Sequence, residues 1–113
     1  MMNLLFICSR NTWRSPTAEA IYRNMNEIDV RSAGTEPSAK IKVNRKLIEW
    51  ANIIFAMEKK HKQRIIEKYP EETSNKRIVV LDIPDDYQYM DAELIESIKS
   101  SVSPYLKDIR GNR

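Results

Sequence analysis

The sequence predicts an α/β domain with a four-stranded parallel sheet flanked by helices. Two observations carry this. Residues 4–7, 53–57 and 78–81 are short continuous apolar runs, which suit strands buried on both faces. Between them lie segments whose apolar residues recur at helical spacing, and strands alternating with helices build a parallel sheet through crossovers. With 113 residues, the chain is expected to form one domain over 1–113, large enough to bury a core without disulfide staples.

The elements follow in order. Leu4-Leu5-Phe6-Ile7 is the first strand. Ser15-Pro16 reads as a helix start, with Ser15 as N-cap, Pro16 at the first helical position and Glu19 in the first turn. Ala18, Ile21, Tyr22 and Met25 then face the core at helical spacing. Residues 28–32 make a second strand, ended by Ala33-Gly34-Thr35. Val43, Leu47, Ile48 and Ala51 mark a short amphipathic helix, and the run 53–57 is the third strand. Ile65, Ile66 and Tyr69 line one face of the next helix, which must stop before Pro70. Residues 77–81 form the fourth strand, and 82–89 an acidic, aromatic loop. Leu94, Ile95, Ile98, Val102, Tyr105 and Leu106 mark a last helix, kinked or divided at Pro104.

The net charge of +3 comes with basic residues interleaved with acidic ones, as in Glu58-Lys59-Lys60, so solvated helix faces are expected rather than a nucleic-acid stripe. The one cysteine excludes an intramolecular disulfide and a cysteine-based zinc site. The first residues have no basic stretch, and their apolar run is too short for a signal peptide or membrane span. The expectation is a cytoplasmic protein with no nucleic-acid partner, no membrane contact, no metal and no cofactor.

Ligands of such sheets sit at the carboxyl ends of the strands. The first strand runs directly into Cys8-Ser9-Arg10-Asn11-Thr12-Trp13-Arg14-Ser15-Pro16. A loop between a strand end and a helix start can converge its backbone N–H groups on an anion, assisted by the helix dipole. Cys8 would lie at the base of that cradle, where the same field favours a thiolate over a thiol. Arg14 can grip two phosphate oxygens with its planar fork, which a lysine cannot. Ser15 can donate to the sulfur, and Asn11 can brace the loop because Asn tolerates left-handed backbone. A lone cysteine is most often an inert buried hydrophobe. Its spacing to Arg14 and Ser15 at a strand–helix junction is what points to chemistry.

These residues resemble the low-molecular-weight protein tyrosine phosphatases, whose Cys-x5-Arg-Ser-Pro loop follows the first strand. Cys8, Asn11, Arg14, Ser15 and Pro16 match it position by position. Arg31-Ser32-Ala33-Gly34-Thr35 is similar to that family's Ser-Ala-Gly-Thr, and Trp50-Ala51-Asn52 followed by residues 53–57 is similar to its Trp-Ala-Asp strand. The resemblance implies a flavodoxin-like sheet of order 2-1-3-4 and cysteine-dependent hydrolysis of phosphate monoesters, with phosphotyrosine as substrate. Arg10 stands where the family has Gly, Trp13 where a second Cys is common, and the chain is shorter between Thr35 and Trp50.

Cleavage also needs a proton for the leaving group. The family takes it from an Asp-Pro-Tyr loop after the fourth strand, where this chain has Asp82-Ile83-Pro84-Asp85-Asp86-Tyr87. Registering the last helix puts Asp85 on the acid and Tyr87 on its aromatic neighbour, with Asp82 and then Asp86 as alternatives. The expected site is therefore Cys8, Arg14 and Asp85 for catalysis, with Ser9, Arg10, Asn11, Thr12, Trp13, Ser15 and Tyr87 around the substrate. Trp13, Tyr87 and Tyr89 could form a slot for a phenyl ring. His61 is expected on the surface, since sequence places no partner for it. The expected partner is a phosphorylated protein or small phosphate ester, with arginine phosphate, a P–N compound, as a further substrate left open. A phosphate- or phosphotyrosine-binding module with little turnover, and an arsenate reductase using a small external thiol, are the alternative functions.

Overall fold

The structure is a computed structural model that describes residues 1–110, with side chains through residue 107. The strands β1 (Met2–Cys8), β2 (Ile28–Gly34), β3 (Ile53–Ala56) and β4 (Arg77–Val80) form one parallel sheet of order β2-β1-β3-β4, as expected. Helices α1 (Arg14–Tyr22), α2 (Arg45–Trp50), α3 (Lys59–Lys68), α4 (Pro70–Thr73) and α5 (Ala92–Arg110) complete the chain.

The pleat of β1 divides the core. Leu4, Phe6 and Cys8 face Ala18, Tyr22, Leu94, Ile98 and Val102 of α1 and α5. Leu5 and Ile7 point the other way, toward Val43, Leu47, Ile48 and Ile65. Both faces of the central strand are thus covered, which is why its sequence is an unbroken apolar run rather than an alternating one. Phe6 stacks between Tyr22 and Phe55, with ring centroids at 5.8 and 5.0 Å, and so ties α1 to the β1–β3 pair beneath the site.

Three expectations need correction. The first helix begins at Arg14, with Trp13 at the N-cap and no side-chain cap. Ser15 is inside the helix and Glu19 beyond its first turn, because the Ser15 hydroxyl is engaged elsewhere. β2 continues through Gly34, paired with Cys8. Pro104 does not divide α5, which runs through it as one element. α3 does stop before Pro70, and Pro70 opens α4.

All four strands end on the same edge. The crevice lies between β1 and β3, where the connections diverge: from β1 through α1 to β2 on one side, and from β3 through α3 and α4 to β4 on the other. No helix among the described residues is long and apolar enough to cross a membrane.

Candidate active site

β1 delivers Cys8 to that edge, 3% exposed, and the chain curls back toward α1. The curl depends on Asn11, whose φ of 58° lies in the left-handed region that Asn tolerates. Its backbone N–H donates to Cys8 Sγ at 3.3 Å. The outer side of the loop is equally defined. The carbonyls of Cys8, Ser9 and Arg10 accept from the amides of Thr35 (3.0 Å), Glu36 (2.9 Å) and Lys40 (3.1 Å). In a planar trans peptide the N–H points opposite to the C=O. Carbonyls bonded outward therefore turn the amides of Ser9, Arg10 and Asn11 inward, and the bond from Asn11 to sulfur is the visible instance. The segment after β2 makes this possible because position 34 is Gly. A Cβ there would lie 2.5 Å from the Ser9 carbonyl oxygen and 3.0 Å from the Arg10 carbonyl carbon.

A relay of buried polar groups runs behind the sulfur. Asn11 Nδ2 donates to Ser15 Oγ (2.8 Å) and to Ser32 Oγ (3.0 Å), and Ser32 in turn donates to Glu19 Oε1. Ser15 Oγ lies 3.0 Å from Cys8 Sγ. Ser15 Oγ accepts from Asn11, and its own proton has two acceptors in reach, the Cys8 sulfur at 3.0 Å and the Ala33 carbonyl at 3.4 Å; a thiolate, as the stronger and nearer acceptor, draws it.

Arg14 is fully inside, at 2% exposure, although it carries a permanent charge. Nη1 donates to Glu58 Oε2 and, at 2.9 Å, to the Ile83 carbonyl, while Nε lies 3.5 Å from Asp85 Oδ1. Buried guanidinium needs such partners, and the rest of its fork remains for an oxyanion. Glu58 directly precedes α3. Burial draws its carboxyl pKa upward, but the hydrogen bond and charge of Arg14 prevail and hold it below the ordinary value. The loop after β4 is shaped by Asp82, at φ 56°, after which the Ile83 N–H donates to the Met57 carbonyl. That turn aims the Ile83 carbonyl at Arg14, and Asp85, two residues on, reaches the same guanidinium.

Cys8, Ser9, Arg10, Thr12, Trp13, Arg14 and Asp85 line one cavity of about 180 Å³. The structure thus brings together seven of the ten site residues expected from sequence. Asn11 and Ser15 stand behind the sulfur as braces instead of facing substrate. Tyr87 is corrected: it packs against the core cluster of Phe6 and Leu94 and does not line the cavity. Asp82 lines a separate depression with Pro84 and Glu96, and Asp86 lines neither. Trp13 is 44% exposed at the cavity.

His61 is also corrected. It is 1% exposed, with Nδ1 3.0 Å from the Glu58 amide and Nε2 2.9 Å from Ser9 Oγ. Burial, then the charge of Arg14, push its pKa down to about 4. Sequence reasoning missed Glu58, His61 and the Gly34 contact. One signal was present: Glu58 is the ionisable residue at the carboxyl end of the third apolar run, and His61 follows at the spacing of a helix N-cap and its third residue.

A sulfur seated in an inward-turned amide loop at a β1–α1 junction, with a buried guanidinium beside it, makes a candidate cysteine-centred oxyanion site on a doubly wound sheet. Residues 3–52 match the family model described as low molecular weight phosphotyrosine protein phosphatase. Over those residues the chain is similar to that family. It is 32% identical over 92 residues to a protein-arginine-phosphatase of Geobacillus stearothermophilus, covering 60% of this chain and 62% of the relative. A protein-arginine-phosphatase of Bacillus subtilis is 32% identical over 95 residues, covering 60% and 63%. The chain thus spans about three fifths of the length of these curated relatives. The solved arginine phosphatase of Geobacillus stearothermophilus superposes with a TM-score of 0.75 at 21% identity, over 100% of this chain and 97% of that one. The tyrosine phosphatase Wzb from Escherichia coli K30, solved with phosphate, gives 0.76 at 19% identity, over 96% and 99%. At those identities the likeness is one of fold.

Proposed function

We propose that the protein hydrolyses phosphate groups on proteins through a phosphocysteine formed on Cys8. What supports this most directly is the shared cavity: the Cys8 sulfur, the Arg14 guanidinium and the Asp85 carboxylate all border it. In the first step the Cys8 thiolate attacks phosphorus in line, forming an S–P bond as the bond to the leaving atom breaks. The electron pair goes to that atom, and Asp85 supplies its proton. The amides of Ser9, Arg10 and Asn11, with Arg14, take up the charge on the equatorial oxygens. In the second step water attacks phosphorus, Asp85 accepts its proton, and the S–P bond breaks. The thiolate returns to the donors already aimed at it, Asn11 N–H and Ser15 O–H.

Phosphotyrosine is the substrate that the family description carries. Phosphoarginine is favoured by the names of the two curated relatives. The same steps serve either, with oxygen or nitrogen as the leaving atom. The proposed setting is the reducing cytoplasm, where a lone thiol stays available.

The test is phosphate release from phosphotyrosyl and phosphoarginyl peptides and from an aryl phosphate. Cys8→Ser should abolish turnover on all three. Asp85→Asn should lower it about a hundredfold on the aryl phosphate, while Asp82→Asn and Asp86→Asn leave it within about threefold. Equal turnover by wild type and Cys8→Ser would reject the proposal. Tight oxyanion binding without hydrolysis would point instead to a binding module, and thiol-dependent arsenite release to arsenate reduction.

A further inference from the structure

His61 has two partners that together fix where its proton sits. The Glu58 amide is a donor, so Nδ1 must present its lone pair. The neutral ring then carries its proton on Nε2, which faces Ser9 Oγ at 2.9 Å. Ser9 Oγ is consequently an acceptor in that bond. Its own hydroxyl proton is left for another acceptor, and Ser9 borders the cavity above Cys8. The charged and titratable groups around the ring are Arg14, Glu58, Lys60 and Arg64, and burial among them keeps it neutral.

We propose that His61 is a positioning residue that turns the Ser9 hydroxyl into a donor toward a bound phosphoryl oxygen. This rests on the reading of the cavity as an oxyanion site. The start of α3 thereby reaches the cavity lining twice: Glu58 holds Arg14, and His61 holds Ser9. Glu58 and His61 are also locked to each other, because each side chain bonds the other's backbone amide in a capping box. One helical turn thus sets two groups that line the site.

The chain contains a single histidine, so its imidazole nitrogen signals can be read without assignment. A long-range proton–nitrogen spectrum should show the Nε2–H form. Ser9→Ala should shift the Nε2 signal and leave Nδ1 in place. An Nε2 signal unmoved by Ser9→Ala overturns the inference on its own, whether or not the protein is a phosphatase. Orthovanadate affinity supplies the second measurement. A single lost hydrogen bond corresponds to about tenfold in affinity, so His61→Ala and Ser9→Ala should each weaken binding by about that factor. The double variant should lose no more than either alone, because both remove the same donor. Losses that multiply to about a hundredfold overturn the inference, as does a lowered melting temperature in His61→Ala with vanadate affinity intact. His61→Gln, whose amide can still donate to Ser9, should recover most of the affinity. A wild-type protein that binds no oxyanion refutes the phosphatase reading, and the spectrum then still decides whether His61 and Ser9 are bonded.

Discussion

Replacing Gly34 with Ala perturbs the loop through one methyl group placed outside it. Gly34 has no left-handed backbone to satisfy, so the effect is purely one of space. The new Cβ would meet the Ser9 carbonyl oxygen at 2.5 Å, Ala39 Cβ at 2.7 Å and the Arg10 carbonyl carbon at 3.0 Å. Two of these are backbone atoms and cannot rotate away. Relief requires a shift approaching 1 Å in either β2 or the loop, and overpacking of this kind costs about 1–3 kcal/mol. For a domain of this size that lowers the melting temperature by roughly 5–15 °C. The loop carbonyls are bonded to residues 35, 36 and 40, so the strain falls on the peptides whose amides face the cavity. Misplacement of catalytic groups by about 1 Å is worth on the order of a hundredfold in rate. The assay pairs thermal unfolding with aryl phosphate hydrolysis in Gly34→Ala. A variant that melts within 1 °C of wild type (roughly 0.2 kcal/mol) and turns over normally would refute the close packing of position 34 on the loop.

Asn11→Ala should cost about 2–4 kcal/mol, since it removes the donor of two buried hydrogen bonds and puts Ala at φ 58°. Asn11→Gly loses the same bonds but not the backbone fit, so it should be about 1 kcal/mol more stable than Asn11→Ala in urea unfolding; equal midpoints would contradict this. Acid should destabilise the protein through His61, whose pKa falls from 6.5 to about 4 on folding. Between those values the unfolded chain binds a proton that the folded chain refuses, so stability declines as pH drops from 6.5 toward 4, by at most about 3 kcal/mol. Glu58, held below its ordinary value of 4.5, adds a loss in the same direction at lower pH. Urea midpoints at pH 7.5, 6 and 5 should therefore fall in wild type and stay nearly level in His61→Gln, and a flat wild-type profile would refute the neutral buried imidazole.

The sheet was legible because its two central strands, β1 and β3, are buried on both faces. The runs at 4–7, 53–57 and 78–81 leave little choice of partner, and the anion loop declares itself by the spacing of Cys8, Arg14 and Ser15. Misplacing the start of α1 has a chemical cause. Ser15 before Pro16 reads as a cap, yet its hydroxyl is committed to Cys8 and Asn11 through the tertiary fold. His61 escaped for the reverse reason: flanked by lysines it reads as surface, and only the packing of α3 against the loop supplies Ser9. Tyr87 was placed by analogy with an aromatic neighbour, whereas its ring packs against the core. The three carbonyl contacts to residues 35, 36 and 40 involve only main chain, so side-chain identity carries no trace of them.

That last feature has a consequence for how the molecule can change. Because the bonds between the two loops join peptide to peptide, they are indifferent to what projects from Pro37, Ser38 and Lys40, all exposed on the segment bonded to the Cys8 loop. Under the proposed function, those positions can be rewritten to suit a new target protein while the loop beneath stays as it is. Adaptation of the rim is uncoupled from preservation of the reaction centre, and the cost of that freedom is concentrated in a single residue that must stay bare, Gly34.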